Sequence, residues 1–400
     1  MKNIHAYRLI GLLSAGLVFS FPAQAKTYAE LLQNVQQQQP EQAALQSYGE
    51  LETTVSQSAD SWFAGNANLV VAHENDALTG DLQKQKWHIG AEMPLWLPGQ
   101  AQSQQNLARG LADLNSYQAW YLKWQASGQL RDLVWQYQES QVKADIAEQS
   151  VAQAQQLNDL IATLVKVGEK PKIDALLADK ALLNAQAQRL NLQSMLESNR
   201  QQYQYWTNTQ ELPSPLTETI AKVDLQKHPE LNRLKAQLAV LGAEYQTAKA
   251  TEKDNPTFSF GGFQEEDKAT SANNSLYAQI TYPLGSSPLK KVETAKQRTA
   301  FLEKQAEVKR YQMVLENQLK KAKQQISLAQ QKLSLMQQEL QIATQTLQLA
   351  TQAYKAGESN IQTLVNAQQD FLNSKLQQSL TEIELNKAIA QHNQIAGDSL

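Results

Sequence analysis

The sequence predicts a mainly α-helical protein with a small membrane β part, built as two copies of one plan in a single chain. Three observations carry this. Landmarks in the first half recur in the second at one fixed offset. Two proline-free stretches, 99–167 and 289–356, are each long enough for a rod of about 100 Å at 1.5 Å per residue. Between the landmarks stand short runs that alternate apolar and polar residues, the pattern of half-buried strands.

The chain opens with "MKNIHAYRLIGLLSAGLVFSFPAQAK". Lys2 and Arg8 make a basic start, Leu9–Phe21 is an apolar run of 13, and Ala23–Ala25 is a small-residue cleavage site. This predicts a secretory signal peptide over 1–25, cleaved to leave Lys26 first. The apolar run is too short for a spanning helix. Its removal takes away Lys2 and Arg8 and no carboxylate, so the formal net charge goes from −3 to −5. That mild acidity gives no footing for nucleic-acid binding. With no cysteine, the chain can form no disulfide and carry no lipid on an N-terminal cysteine. No later stretch approaches the 18 or so apolar residues of a membrane helix. An exported protein of this kind is periplasmic, secreted or placed in an outer membrane.

Pro40 in "QQPEQ" and Pro229 in "KHPEL" are 189 residues apart. The same offset of 189 separates Pro94 in "AEMPLWLPG" from Pro283 in "QITYPLGSSP", and Gly168 in "LVKVGEKP" from Gly357 in "AYKAGESN". Three matches in one order indicate an internal duplication. The repeats are expected over 26–209 and 210–400, with "TNTQELPSPLTET" (207–219) as the linker. Beyond the glycines the register is expected to slip by one, laying Ile173–Lys180 over Ile361–Gln368.

Each half then reads in one order. A polar helix (28–58, 227–252) comes first, then two strands, a very long helix, a glycine break and a shorter helix. In the second strand of the first half, Trp87, Ile89, Ala91, Met93 and Leu95 oppose His88, Gly90 and Glu92. In the second half, Leu276, Ala278, Ile280, Tyr282 and Leu284 oppose Tyr277, Gln279 and Thr281. Partner strands are expected at 66–74 and 256–263, joined through polar loops 75–86 and 265–274. Each run has roughly the nine to eleven residues of a tilted membrane strand. Trp87, Trp96 and Tyr282 stand near strand ends, where an aromatic girdle would sit. A soluble amphipathic hairpin would show the same alternation. On the membrane reading, Trp87, Ile89, Met93, Leu276, Ile280 and Tyr282 face lipid. Arginine is then expected to be damaging at Ile89 or Ile280 and tolerated at Gly90 or Gln279.

The long helix of the second half carries Leu315, Leu319, Ala322, Ile326, Ala329, Leu333, Met336, Leu340, Ala343, Leu347, Ala350 and Tyr354 at alternating spacings of four and three. That is a heptad seam with Gln and Lys on its flanks. Four strands cannot close a barrel, since about eight is the practical minimum. Open strand edges are not viable in lipid. Membrane strands would therefore have to be shared, two copies giving eight and three giving twelve.

At this point the chain resembles the TolC-type outer-membrane efflux channels. The residues that carry the resemblance are "HPELNRLKAQL", "AKATEKDNPTFSFGG", "ITYPL" and above all "AYKAGESNIQTLVNAQQDFLNSK", together with their order and twofold recurrence. The resemblance implies a homotrimer with a shared twelve-strand barrel in outer-membrane lipid and an α-helical barrel across the periplasm. It also implies that the chain is the passive outer duct of a tripartite efflux or type I secretion system. Its tip turns, here Val167, Gly168, Glu169, Lys170, Ala356, Gly357, Glu358 and Ser359, would dock a periplasmic adaptor (membrane fusion protein) linked to an inner-membrane efflux pump. "VGEKPKIDALLADK" is most similar to members that serve heavy-metal cation efflux. The family's periplasmic constriction maps to Asp174, Thr363 and Asn366. The last two are neutral where well-known members are acidic, which departs from an acidic, cation-filtering constriction.

The remaining residues point to no chemistry. There is no G-x-S-x-G, zinc signature or P-loop, so the chain reads as a non-enzyme without cofactor or metal. His73 and His88 flank one hairpin loop, where they could face each other, but two histidines without carboxylate or thiolate partners make a poor metal site. Tyr117, Trp120, Tyr121 and Trp124 form a helical stripe suited to packing between helices. Two other classes share long helical hairpins: a periplasmic coiled-coil adaptor, and a scaffold without channel activity.

Overall fold

A computed structural model describes residues 26–78, 80 and 82–400; the expected signal peptide lies outside the described residues. In chain order the elements are α1 (Tyr28–Gln37), α2 (Gln42–Ala59), β1 (Asn68–Asn75), β2 (Gln85–Pro94), α3 (Gln100–Lys166) and α4 (Lys172–Thr207). After a 3-10 turn (Leu225–Lys227) come α5 (Pro229–Ala250), β3 (Thr257–Glu266), β4 (Asn273–Thr281), α6 (Pro288–Lys355) and α7 (Ile361–Ile395).

The helix expected over 28–58 is two helices. Pro40 lies in the gap between α1 and α2, because proline has no N–H to donate and fixes its own φ. Its counterpart Pro229 stands at the first position of α5, where an N–H would have no intrahelical partner anyway. α1 is closed at its start by a reciprocal capping box between Thr27 and Glu30.

The four strands form one antiparallel sheet in the order β1-β2-β3-β4. The central pairing, β2 with β3, joins the two repeats through partners such as Ile89↔Gly262 and Gly90↔Gly261. β1 and β4 are left as edges. α3 and α6 leave the same end of the sheet and run for 67 and 68 residues, about 100 Å at 1.5 Å per residue. α4 and α7, with 36 and 35 residues, return about half that distance.

Nearer the sheet the helices pack in the order α2-α3-α5-α6; nearer the turns they pack in the order α4-α3-α7-α6. The core is correspondingly a series of small clusters along the rod rather than one centre. Every position of the heptad seam from Leu315 to Tyr354 is buried or half-buried.

The linker is not a loose tether. Leu212 and Leu216 pack on the cluster of Leu31, Val134 and Tyr203, and Leu216 O accepts from Tyr28 Oη at 2.8 Å. Asn393 on α7 holds Thr219 O and the Ala221 N–H, both at 2.8 Å. Arg131 of α3, 3% exposed, clasps linker Glu218 with bonds of 2.9 and 2.7 Å. Its other Nη donates to Gln394 Oε1 at 2.6 Å and to Asp398 O at 3.0 Å. First repeat, linker and C-terminus are thereby tied at one level.

The expected one-residue slip after the glycines is not followed by the backbone. α4 begins at Lys172 and α7 at Ile361, again 189 apart. Ile173 is 57% exposed and Ile361 is 2% exposed, so the similar letters occupy unlike places. Buried Ala178 and Ala367, 189 apart, are the equivalent pair.

Candidate channel wall and tip turns

Strand register sorts the sheet into two faces. Val71, Ile89, Gly262 and Leu276 lie in one row, and Leu69, Ala91, Phe260 and Ala278 in the next. Trp87 shares this face with Ile89, and Met93 pairs through Phe258 with Ile280. Leu69, Trp87, Ile89, Phe260, Leu276, Ile280 and Tyr282 are all exposed, with Leu276 at 91%; Met93 is half-buried. An apolar face open to the surroundings is thus common to all four strands.

The opposite face is polar and aromatic. His88 stacks on Phe263 with centroids 5.4 Å apart, Lys86 Nζ lies 4.1 Å above the same ring, and Lys84 pairs with Glu265 at 2.6 Å. His73 and His88 do not face each other: His73 pairs with Trp87 and His88 with Ala72, which puts the two on opposite faces. Gly90 does not have the room expected of it. A Cβ there would meet the Tyr277 hydroxyl and stand 2.9 Å from Phe260 O, so any side chain at 90 collides. Gln279 is exposed and has that room.

The far ends of α3 and α6 close by one hydrogen-bonding scheme. Gly168 adopts φ 83° and Gly357 φ 81°, the left-handed region that glycine takes with least cost. Gly168 N–H donates to Val165 O at 3.1 Å and Glu169 N–H to Leu164 O at 2.9 Å. Gly357 N–H donates to Tyr354 O at 3.1 Å and Glu358 N–H to Ala353 O at 2.9 Å. Both are Schellman motifs, which satisfy the last helical carbonyls while reversing the chain. Nothing lies within 4 Å of a Cβ placed on either glycine, so backbone angle and not space demands glycine here.

The two turns sit side by side, because Leu157, Ile161, Ala178, Tyr354, Ile361 and Leu364 share one buried cluster. Val167, Gly168, Glu169, Ala356, Gly357 and Glu358 are exposed. Lys170 and Ser359 are half-buried, and Lys170 Nζ lies 4.3 Å above the Tyr354 ring. Tyr354 is 1% exposed, and its hydroxyl donates to Asp174 Oδ2 at 3.4 Å. Burial, and secondly the Asp174 carboxylate, push that hydroxyl up to about 12.

Asp174 is therefore bound across to α6. Thr363 and Asn366 are exposed and held locally: Asn360 Oδ1 caps Thr363 N–H at 2.9 Å, and Asn366 Oδ1 accepts from Gln362 at 2.8 Å. The sequence reading passed over two residues here. Tyr354 was counted only as an apolar seam position. Asp370 is exposed four positions up the helix from Asn366, a spacing that places an acid on the same face.

The lower half of the aromatic stripe packs between helices: Trp124 Nε1 donates to Gln394 O at 2.8 Å and its ring meets His228 edge-on, while Arg233 covers Tyr121 at 4.5 Å. Tyr117 is exposed, and its ring meets Trp120 on the same helix.

An open-edged sheet with one apolar face, set on paired rods that end in matched turns, can be compared with known proteins. Residues 222–397 match the model of the outer membrane efflux protein family. The match lies within the second repeat. The whole described chain shares its fold with solved channels. It superposes on the outer-membrane channel OprN with a TM-score of 0.75 at 17% identity, covering 93% of this chain and 90% of that one. For the outer membrane protein VceC from Vibrio cholerae the values are 0.73 and 10%, with 93% and 96% covered. For CusC they are 0.71 and 13%, with 95% and 94% covered. No curated protein matches the sequence. The TolC-type fold expected from the sequence is thus the fold observed, in both repeats.

Proposed function

We propose that this chain is one subunit of an outer-membrane efflux duct, three copies of which close a twelve-strand barrel and continue it as a helical tunnel. One observation carries the reading: a four-strand sheet, apolar on one face, whose edges β1 and β4 have no partner strand among the described residues. Lipid forbids open edges, and four strands are too few to close alone. Three copies bring twelve strands, as the family resemblance implies. The outward face of Trp87, Ile89, Met93, Leu276, Ile280 and Tyr282 then meets lipid, and the polar face of His88, Phe263 and Tyr277 lines the passage. The exposed turns at 167–170 and 356–359, about 100 Å from the sheet by helix length, dock a periplasmic adaptor coupled to an inner-membrane pump. The duct is passive, with no catalytic role. A coiled-coil adaptor or scaffold has no use for such a sheet. Fractionation and mass measurement of detergent-extracted protein test the reading: a trimer from the outer membrane is expected, and a stable monomer or a soluble periplasmic species overturns it.

A further inference from the structure

At the upper end of α4 the exposed side chains are amides and a ring rather than charges. Gln201, Gln204, Tyr205 and Asn208 follow one another at spacings of three, one and three, which puts them on one face of the last two turns. With Gln38 from the end of α1 they line an open cavity of about 620 Å³, and none of the five is charged. Tyr205 is 68% exposed. Trp206 meets its ring edge-on at 5.4 Å and itself packs on the cluster of Leu31, Val134 and Tyr203, so the exposed ring has a fixed support. Asn34 Nδ2 of α1 donates to Thr207 O at 2.8 Å, which ties the two walls of the cavity together.

Charged neighbours fix which way the amides point. Arg200 can only donate, so Gln210 turns its oxygen to Arg200 Nη1 at 3.1 Å and its Nε2 to Gln204 Oε1 at 2.9 Å. The Gln204 Nε2 donors are left without a partner among the described residues. The Glu197 carboxylate, itself paired with Arg200 at 2.6 Å, can only accept. Gln201 therefore gives it Nε2 at 2.8 Å and keeps its own oxygen unused. One turn of helix thus presents a spare donor and a spare acceptor beside an exposed ring.

We propose that this face is a binding site for a glycan of N-acetylated sugars. A sugar ring has an apolar C–H face, which stacks on the electron-rich face of Tyr205. Each acetamido group carries one N–H donor and one C=O acceptor, the complement of Gln201 Oε1 and Gln204 Nε2. Gln38 and Asn208 add amides for hydroxyl groups. The uncharged lining suits a neutral chain and offers an anionic polymer no counter-charge. Height selects the source, and this step rests on the duct reading above. Tyr205 stands 37 residues beyond Gly168, about 55 Å from the tip at 1.5 Å per residue. On a rod of about 100 Å that leaves about 45 Å to the sheet, which is a level within the periplasm. The glycan is therefore that of the cell wall and not that of the cell surface. One sugar on so open a site binds weakly, but a repeating polymer presents the next unit at high effective concentration.

Full-length protein in detergent should bind chitotetraose, a neutral chain of N-acetylglucosamine, in isothermal titration, and equally well at low and high salt. Tyr205→Ala and Gln204→Glu should each weaken that binding about tenfold with the helical signal unchanged, while Tyr205→Phe, which keeps the ring, should bind like the parent. Cellotetraose, the same backbone without acetamido groups, should bind about tenfold more weakly than chitotetraose. In a second arm the protein should sediment with purified cell-wall sacculi and be released by chitotetraose. Stronger retention by lipopolysaccharide than by sacculi overturns the wall as the source. The site itself falls if chitotetraose does not saturate, if cellotetraose binds as well, or if Tyr205→Ala binds like the parent. A monomer in detergent that still binds chitotetraose removes the duct and leaves the site standing; a trimer that binds none does the reverse.

Discussion

Arg131→Met should be among the most damaging single changes outside the sheet. The guanidinium is 3% exposed and Glu218 is 10% exposed at its side chain. Removing Arg131 deletes both strong bonds to Glu218 and those to Gln394 and Asp398 O. Glu218 then keeps only the Asn393 amide, at 3.0 Å, and remains buried as an uncompensated anion. Breaking a buried pair from one side costs about 3–5 kcal/mol, whereas replacing both partners by apolar groups is close to neutral. Asp398, 49% exposed at its side chain, stays hydrated and adds little. Arg131→Met should therefore lower the urea midpoint of the helical circular-dichroism signal and expose the linker (208–224) to protease. Adding Glu218→Leu should recover most of the loss. A single variant within about 1 kcal/mol of the parent, with the double variant no better, would refute the idea that this cluster holds the two repeats together.

Three other outcomes are expected. Ile89→Arg or Ile280→Arg should cost about 2–4 kcal/mol near a bilayer midplane and deplete assembled protein, while Gln279→Arg is tolerated; quantitative blotting of outer membranes checks this, and equal tolerance sinks the assignment of faces. His228 is fully buried, and burial pushes it down to about 4, so the folded chain holds it neutral while the unfolded chain binds a proton near 6.5. Stability should thus be fully present above pH 6.5 and fall towards pH 4 by about 3 kcal/mol per chain, and His228→Asn, which keeps the cap on Leu231 N–H, should flatten that slope. At the tip, cysteines replacing Glu169 or Glu358 should capture the adaptor in exporting cells, whereas cysteines replacing Gln85 or Thr270 should not; failure of the tip cysteines reduces the turns to helix ends.

Much of this was legible because duplication writes the same signal twice. Proline and glycine act through the backbone, so Pro94, Pro283, Gly168 and Gly357 mark strand and helix ends in both halves. Strand alternation and the α6 seam followed from periods of two and of three to four, and both lie where expected. Burial was less legible. Ile173 and Ile361 look equivalent in sequence, yet only the second is covered, because α4 and α7 hold different places in the helix row. Gly90 looked like a free luminal position, but its lack of a side chain makes room for Tyr277 from a strand nearly 190 residues away. The Arg131 cluster gathers residues from 131, 218, 394 and 398, a distance no local pattern spans.

The duplication also bears on how the proposed copies would join. Two repeats that met across a closed, symmetric interface would cover their own edges and stop. Here they meet side by side, β2 on β3 and α3 on α5 and α7, which leaves the first repeat's outer edge and the second's still open. The join inside the chain is thus of the same kind as the join proposed between chains: one repeat's trailing edge against the next repeat's leading edge. On that view the sheet needs no separate closing device, because each new β4 edge is answered by a β1. The repeats need not be identical for this to work, only equal in reach. Turns offset by the same 189 residues as the prolines supply that equality. A deletion of seven residues from α6 alone, with α3 untouched, should therefore keep the heptad face but shorten one arm by about 10 Å at 1.5 Å per residue. Such a chain should fold, judged by its helical signal, yet fail to assemble; a stable trimer from it would show that matched reach is not what joins the copies.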